Sequence, residues 1–301
     1  MTLSVSIVIP AWNSASVLPA CLRSLDGQGH TELIIIDNAS VDGSASLAQE
    51  LAPHARVISL TENTGFSGAS NLGIESSSND YVLLLNDDAV LRPGYVAGLC
   101  ATLESEQGAA SAVGKLIYEE AGQTYIDSAG IELCAYALRP GDRGQGQLDR
   151  GQYDEPTRVF GASAAAALYR RSALLELGEA PFDPDLFAYY EDVDLAWRLA
   201  RRGWSHQYVP SVQALHSRRG PDEKPPAIRA RAFSNRYVVW AKNETLARFT
   251  MYGPLACSWE LARLVRRAVV DPELLQEVPA ALERAAKILR QRFSDSWGPK
   301  P

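Results

Sequence analysis

Two short acidic stretches, far apart in the chain, carry the residues best suited to chemistry. In the first, Tyr81, Val82, Leu83, Leu84 and Leu85 run straight into Asn86, Asp87 and Asp88. Hard cations such as Mg2+ or Mn2+ take carboxylate oxygens and fill their shell with phosphate and water. Asp88, helped by Asp87 or Asn86, could therefore hold a divalent ion against a diphosphate. The same triplet is also ordinary turn chemistry after a strand. The second stretch runs from Asp183 to Gly203, with Glu191, Asp192 and Asp194 at the start of an expected helix. Acidic residues in a first turn complement the helix dipole. Three carboxylates in four residues exceed what capping needs.

Strands must place these acids. A short apolar run bounded by polar residues reads as a strand buried on both faces of a parallel sheet, and open α/β sheets bind ligands at the carboxyl ends of their strands. Ser4 to Ala11, Glu32 to Asp37, Arg56 to Leu60 and Tyr81 to Leu85 fit this description, with helical stretches between them. The alternation predicts an α/β fold: a Rossmann-like, mostly parallel sheet with helices on both faces. Ser14 or Asn13 is expected to cap a first helix running to about Leu25. Asp37, Asp88 and Asn63 should share one sheet edge. Asp37 could accept a hydrogen bond from a pyrimidine N3–H or cap the next helix; Trp12 could pack on a base or ribose or serve as rim packing.

Beyond Gly108 the pattern changes. Ala112 to Tyr118 and Arg158 to Tyr169 read as strands, with the small residues Gly161, Ala162 and Ser163 allowing close backbone approach to a ligand. The segment between, residues 119–156, is polar and glycine-rich and reads as a mobile loop on the substrate side. Short strands are expected over His206–Val209 and Val212–His216. From Pro225 the chain reads as helical. In the stretch Pro254–Val270, Trp259, Ala262, Leu264, Val265 and Val269 fall on one side, and Glu260, Arg263, Arg266 and Arg267 largely on the other. Such a basic amphipathic helix either packs on the core or lies on an anionic membrane surface. The expected division is 1–110, 111–220 and a C-terminal helical extension over 221–301.

The totals bound the function. The 301 residues are enough for one large or two modest domains. A net charge of −7 argues against a nucleic-acid binder. The four cysteines are widely spaced, which fits a reduced compartment without a disulfide framework. The start of the chain has no positive region ahead of its apolar run and does not read as a signal peptide. No apolar stretch reaches the roughly 18 residues of a membrane span. The expectation is a cytoplasmic enzyme, able to lie peripherally on the inner face of the cell membrane.

Five segments occur in a telling order: Ile7-Val8-Ile9-Pro10-Ala11-Trp12-Asn13, Ile36-Asp37 through Gly43-Ser44, Asn63-Thr64-Gly65-Phe66, Leu85-Asn86-Asp87-Asp88 and Tyr190-Glu191-Asp192-Val193-Asp194-Leu195. Together they resemble family-2 glycosyltransferases of the GT-A fold, in particular the bacterial rhamnosyltransferase-like branch, over about residues 4 to 220. The resemblance implies inverting transfer from a nucleoside-diphosphate sugar, dTDP- or UDP-linked, to a glycan or lipid-linked acceptor, with Mg2+ or Mn2+. It places donor and acceptor contacts on Pro10, Trp12, Asn13, Asp37, Asn63, Gly65, Asn71, Asp87, Gly161 and Glu191. The metal would fall on Asp88 and His216, and the catalytic base on Asp192. Trp12 stands where tyrosine is more usual, and Asn86 takes the first position of the acidic triplet. Arg218, Arg219 or Arg236 could add charge-assisted phosphate contacts. Rhamnose is the favoured sugar; UDP-galactofuranose, a UDP-hexose, or a non-catalytic nucleotide-sugar-binding subunit are the alternatives.

Overall fold

The computed structural model describes residues 4–134, 139–216 and 226–297. Four strands meet the expectation closely: β1 (Val5–Ala11), β2 (Glu32–Asp37), β3 (Arg56–Ser59) and β4 (Tyr81–Leu85). They lie in the order β3-β2-β1-β4, all parallel. Between them run α1 (Leu18–Arg23), α2 (Ser44–Leu51) and α3 (Gly65–Ser76). Successive side chains of a strand point to opposite faces, and the core divides accordingly. Val5, Ile7, Ile9, Leu33, Ile35, Leu83 and Leu85 fill one layer; Val8, Ile34, Ile36, Val82 and Leu84 fill the other. Continuous apolar runs were the right signal because both faces are covered. Close cover also explains Gly73 on α3: a Cβ there would fall 2.1 Å from Val8 Cγ1.

After β5 (Ala89–Leu91) and α4 (Tyr95–Ser105), the sheet continues through β6 (Ala109–Glu120). Next come β7 (Gln123–Ser128), β8 (Ile131–Cys134), β9 (Arg139–Asp142), β10 (Thr157–Val159) and β11 (Ala166–Arg170). α5 (Arg171–Leu175) leads to α6 (Glu191–Ala200) and β12 (Ser205–His216). β11 inserts antiparallel between β4 and β6, while β12 runs parallel to β6.

Several expectations change here. Residues 119–156 are not an open loop in their described part. β6 and β7 form a hairpin turned by Ala121 and Gly122, both at positive φ, as a tight two-residue hairpin turn requires. β8 pairs with β9. Buried Lys115 is ion-paired to Asp149 and Asp154, which fastens the following turn. Arg158 to Tyr169 is two strands rather than one. The two short strands expected around His206 and His216 are one, irregular between Val209 and Gln213 where its pairing with β6 shifts. α1 starts later than expected, because the Ser14 carbonyl first accepts from Val17 and Leu18 in a turn.

The C-terminal extension comprises α7 (Pro226–Asn243), α8 (Leu246–Val270) and α9 (Val278–Trp297). Phe233, Val238, Leu274 and Ala281 form a third core with Leu186, Val193 and Trp197. Arg236 is not available to phosphates: it is 1% exposed and ion-paired to Glu260 of α8, whose carboxylate also accepts from the Tyr237 hydroxyl at 2.6 Å. This network turns α8 the opposite way from the reading of its apolar side. Glu260 faces inward, and Trp259, Val265 and Val269 face solvent. Arg218 and Arg219 lie outside the described residues. Among the described residues, no helix is long and apolar enough to cross a membrane.

Candidate active site

The carboxyl ends of β1, β2 and β4 open on one cleft of about 470 Å³. Pro10, Trp12, Asn63, Gly65, Asp87, Asp88, Glu191, Asp192 and His216 all line it. The two acidic stretches, distant in sequence, therefore face the same space. The size is that of a small-molecule site.

Its first wall is built from the ends of β1 and β2. Ala11 is in register with Asp37. Trp12 is half-buried, and its N–H donates to Asp87 Oδ2 at 3.2 Å, which ties the end of β1 to that of β4. Asp37 is 4% exposed, and its Oδ1 lacks a hydrogen-bond partner. It does not itself line the cleft, but its neighbours Ala11 and Asn38 do. Asn38 was not expected as a site residue. It donates to the Gly65 carbonyl at 3.0 Å and accepts from the Thr64 N–H at 2.8 Å, fixing the turn after β3. Gly65 has φ +74, and a Cβ there would lie 2.3 Å from the Phe187 carbonyl oxygen, so glycine is required twice over.

The floor carries the ionisable cluster. Asp88 Oδ1 is buried and no hydrogen bond satisfies it; His216 Nε2 is 3.3 Å away. Asn86 Nδ2 is 3.1 Å from the same ring nitrogen. On the other side of the ring, His216 Nδ1 donates to Asp127 Oδ2 at 2.8 Å. Burial alone would lower the His216 pKa, but the hydrogen bond to Asp127 and the Asp88 carboxylate nearby carry it up to about 9. Among the described residues, no three His, Cys, Asp or Glu side chains gather tightly enough to hold a metal unaided. An unsatisfied carboxylate oxygen beside an imidazole nitrogen nevertheless fits a cation that draws its remaining ligands from phosphate and water. A carboxylate on the far nitrogen of a ligating histidine fixes tautomer and ring orientation, which is what Asp127 does here. Sequence reading missed Asp127, because nothing local marks a hairpin residue whose partner lies beyond β11.

The opposite wall is α6 and the segment before it. Asp192 is half-buried, and its Oδ2 lies 3.4 Å from the Ala164 N–H. Glu191 is buried with an unpartnered Oε2. Burial, with the Asp192 carboxylate beside it, pushes the Glu191 carboxyl well above the usual range. Asp194 does not face the cleft. It is fully buried and bonded to Arg198, Lys242 and Asn243, a structural anchor. Ahead of α6, Phe187, Tyr189 and Tyr190 all have positive φ and all line the cleft. Such backbone costs on the order of 1–3 kcal/mol per residue and persists only where its surroundings hold it.

Three expected site residues stand elsewhere. Both ends of the Asn71 amide are bonded to the Phe182 backbone, at 2.7 and 2.9 Å. Asn13 accepts from the Val41 N–H at 2.9 Å and joins two turns. At Gly161 a Cβ would lie 2.6 Å from Ala196 Cβ, so glycine there serves packing against α6. None of the three lines the cleft. The segment after β8 does reach it, through Pro140, Gly141, Asp142 and Gln145.

Residues 6–178, more than half the chain, match the family described as glycosyl transferase family 2. The chain belongs to that family. It is 27% identical over 261 residues to an N-acetylglucosaminyl-diphospho-decaprenol L-rhamnosyltransferase of Mycobacterium tuberculosis, covering 77% of this chain and 83% of the relative. It is also 27% identical over 224 residues to a pre-mycofactocin glycosyltransferase of the same species, covering 71% of this chain and 43% of that one. Two solved structures share the fold. GalNAc-T7 with UDP, GalNAc and Mn2+ has a TM-score of 0.66 at 16% identity, covering 97% of this chain and 57% of that one. The mannosyltransferase PcManGT of Pyrobaculum calidifontis, with GDP-Man and Mn2+, has a TM-score of 0.58 at 16% identity, covering 99% and 88%. The protein is thus a family-2 glycosyltransferase of GT-A-like fold, and the rhamnosyltransferase resemblance rests on a curated relative.

Proposed function

We propose that this glycosyltransferase moves a sugar, rhamnose first among candidates, from a dTDP- or UDP-linked donor to a hydroxyl of a lipid-linked glycan, with inversion. The observation that carries the reading is the single cleft shared by Asp88 and His216 on its floor and Asp192 on its opposite wall. Trp12 packs on the nucleoside, and Asn38 and Ala11 at the ends of the same two strands border it. Asp88 and His216 hold the divalent cation, with Asp127 orienting the imidazole. When bound, Mg2+ or Mn2+ offsets the charge that develops on the departing diphosphate. Asp192 takes the proton from the acceptor hydroxyl as that oxygen attacks the anomeric carbon. Burial beside Asp192 raises the Glu191 carboxyl, which disfavours a second negative charge near the attacking oxygen. Attack opposite the leaving group inverts the centre, and no sugar–enzyme bond forms. The acceptor class follows the activity for which the mycobacterial relative is named.

Thermal unfolding with UDP-, dTDP- and GDP-sugars, each with and without Mn2+, tests the reading. A ligand at a hundred times its Kd stabilises the native state by about 2.7 kcal/mol. A metal-dependent rise with a dTDP- or UDP-sugar is expected. Absence of a shift with every nucleotide sugar overturns the proposal, and binding without transfer to any acceptor favours a non-catalytic subunit.

A lipid-linked acceptor also gives the outer face of α8 a role. Met251, Leu255, Ala262, Val265 and Val269 follow each other at helical spacing, with Met251 71% and Val269 81% exposed. Apart from Glu260, which is buried against Arg236, every charge on α8 is an arginine. Arg248 is ion-paired to Glu244 and Arg263 lies over the Phe233 ring, while Arg266 is exposed. An anionic bilayer suits an exposed apolar stripe bordered by a solvent-exposed arginine such as Arg266. The chain is expected to co-sediment with vesicles of phosphatidylglycerol but not with phosphatidylcholine alone. L255E/V265E should abolish this binding while leaving the melting temperature in place. Self-association in solution, or equal binding by that variant, rejects the bilayer as the occupant.

A further inference from the structure

The three aromatic residues with positive φ ahead of α6 are held from one point. Asn235 on α7 directs its side-chain N–H groups at three backbone carbonyls of that segment: Leu186 at 2.8 Å, Ala188 at 2.9 Å and Tyr189 at 2.9 Å. Asn235 is fully buried. Its helix also contributes Ile228 and Ala232 to the cleft wall. Residues 228, 232 and 235 recur at helical spacing, so they share one face of α7. Arg231 adds a second hold, its guanidinium lying 4.9 Å from the centre of the Phe187 ring. The Phe187 carbonyl in turn accepts from the Ser67 N–H at 3.0 Å, beside the Gly65 turn. α7 lies wholly outside residues 6–178, the part of the chain that matches the family.

We propose that Asn235 is the positioning residue for the acceptor side of the cleft: it clamps the Phe187–Tyr190 backbone in its strained form and so presents the aromatic wall and Asp192 to the incoming hydroxyl. Aromatic side chains give a sugar ring an apolar face to pack on, so the clamp bears on acceptor recognition rather than on the donor. Conformations of this kind persist only where neighbours over-determine them. A single amide serving three carbonyls supplies that restraint, and neither a methyl group nor a carboxylate can replace it. The C-terminal extension then completes the catalytic unit instead of merely following it. This inference rests on the reading of the cleft as a sugar-transfer site, and its test is built to separate the two.

The test uses N235D, which keeps the shape and removes both donors, beside N235A. Three quantities are read on the full chain: donor affinity by calorimetry with Mn2+, steady-state transfer to a varied acceptor, and chymotrypsin cleavage between Leu186 and Glu191. Both variants are expected to bind donor within about threefold of the native chain. Their kcat/KM for acceptor should fall by at least tenfold, with much of the change in KM. Chymotrypsin should cut after Phe187, Tyr189 or Tyr190 in the variants and leave the native segment intact. Donor affinity and transfer falling together in N235D, with a native melting temperature, overturns the assignment to the acceptor side. A segment that stays uncut in both variants overturns the clamp itself. If the native chain transfers no sugar, the functional reading fails, while the cleavage result still decides whether Asn235 holds the segment.

Discussion

D192N is expected to lower kcat by about two to four orders of magnitude, the range over which a positioned general base contributes, and to leave donor affinity within about threefold. The substitution keeps size and shape and removes basicity. Its site is prepared for this comparison. The Asp192 carboxylate lies near the Ala164 N–H, and the Val193 N–H donates to its Oδ1 at 2.8 Å, a contact the asparagine oxygen can keep. The proposed donor floor around Asp88 and His216 lies at strand ends, away from the helix that carries Asp192. Transfer and donor calorimetry measured on one preparation decide the matter. A variant that loses both in equal measure takes the base role away from Asp192, because a base acts on the acceptor proton and not on donor affinity.

The neighbouring Glu191 shows why the two acids cannot exchange roles. A general base must be ionised and must reach the proton it removes. Glu191 is buried, which pushes its carboxyl well above the usual range, whereas Asp192 is partly open to the cleft. Adjacent carboxyl groups in unlike surroundings divide into one neutral and one charged partner. Both line the cleft, but Glu191, first in the helix, is the more deeply buried of the two.

Much of this site was legible because strand ends are legible. Apolar runs that stop at Asp37 and at Asn86-Asp87-Asp88 fix where a parallel sheet presents polar groups, and the structure brings Trp12, Asp87 and Asp88 to one edge. What the sequence hid depends on long-range pairing. Asp127 supports His216 across 89 positions of chain, and no local pattern announces it. The described part of residues 119–156 lacks periodicity because it forms short strands joined by glycine-containing turns, too brief for a repeat to accumulate. α8 misled for a different reason. Apolar periodicity assumes that the apolar side is the buried one, but the Arg236–Glu260 pair draws the opposite face inward. Asn13 and Asn71 are near-neighbours of real cleft residues, and their amides are consumed by backbone.

D88A is expected to weaken donor binding in Mn2+ by at least tenfold and to make the remaining binding indifferent to the metal. The argument starts from an imbalance. Asp88 Oδ1 is buried without a hydrogen bond, a state costing about 1–3 kcal/mol, more for a charged group, and a cation relieves it. In the absence of a cation, the proton on His216 offsets the Asp88 charge, which is why its pKa rises to about 9. Removing the carboxylate removes both the ligand and the reason for that proton, while His216 keeps its hydrogen bond to Asp127. D87A provides the contrast. Asp87 accepts from the Trp12 N–H, so its loss loosens the nucleoside wall and should weaken donor binding to the same extent with or without Mn2+. Calorimetry of a dTDP- or UDP-sugar against the three proteins, each with Mn2+ and with chelator, separates the cases. A D88A protein that binds donor as the native chain does under both conditions takes Asp88 out of the metal site and leaves the acidic triplet as a turn.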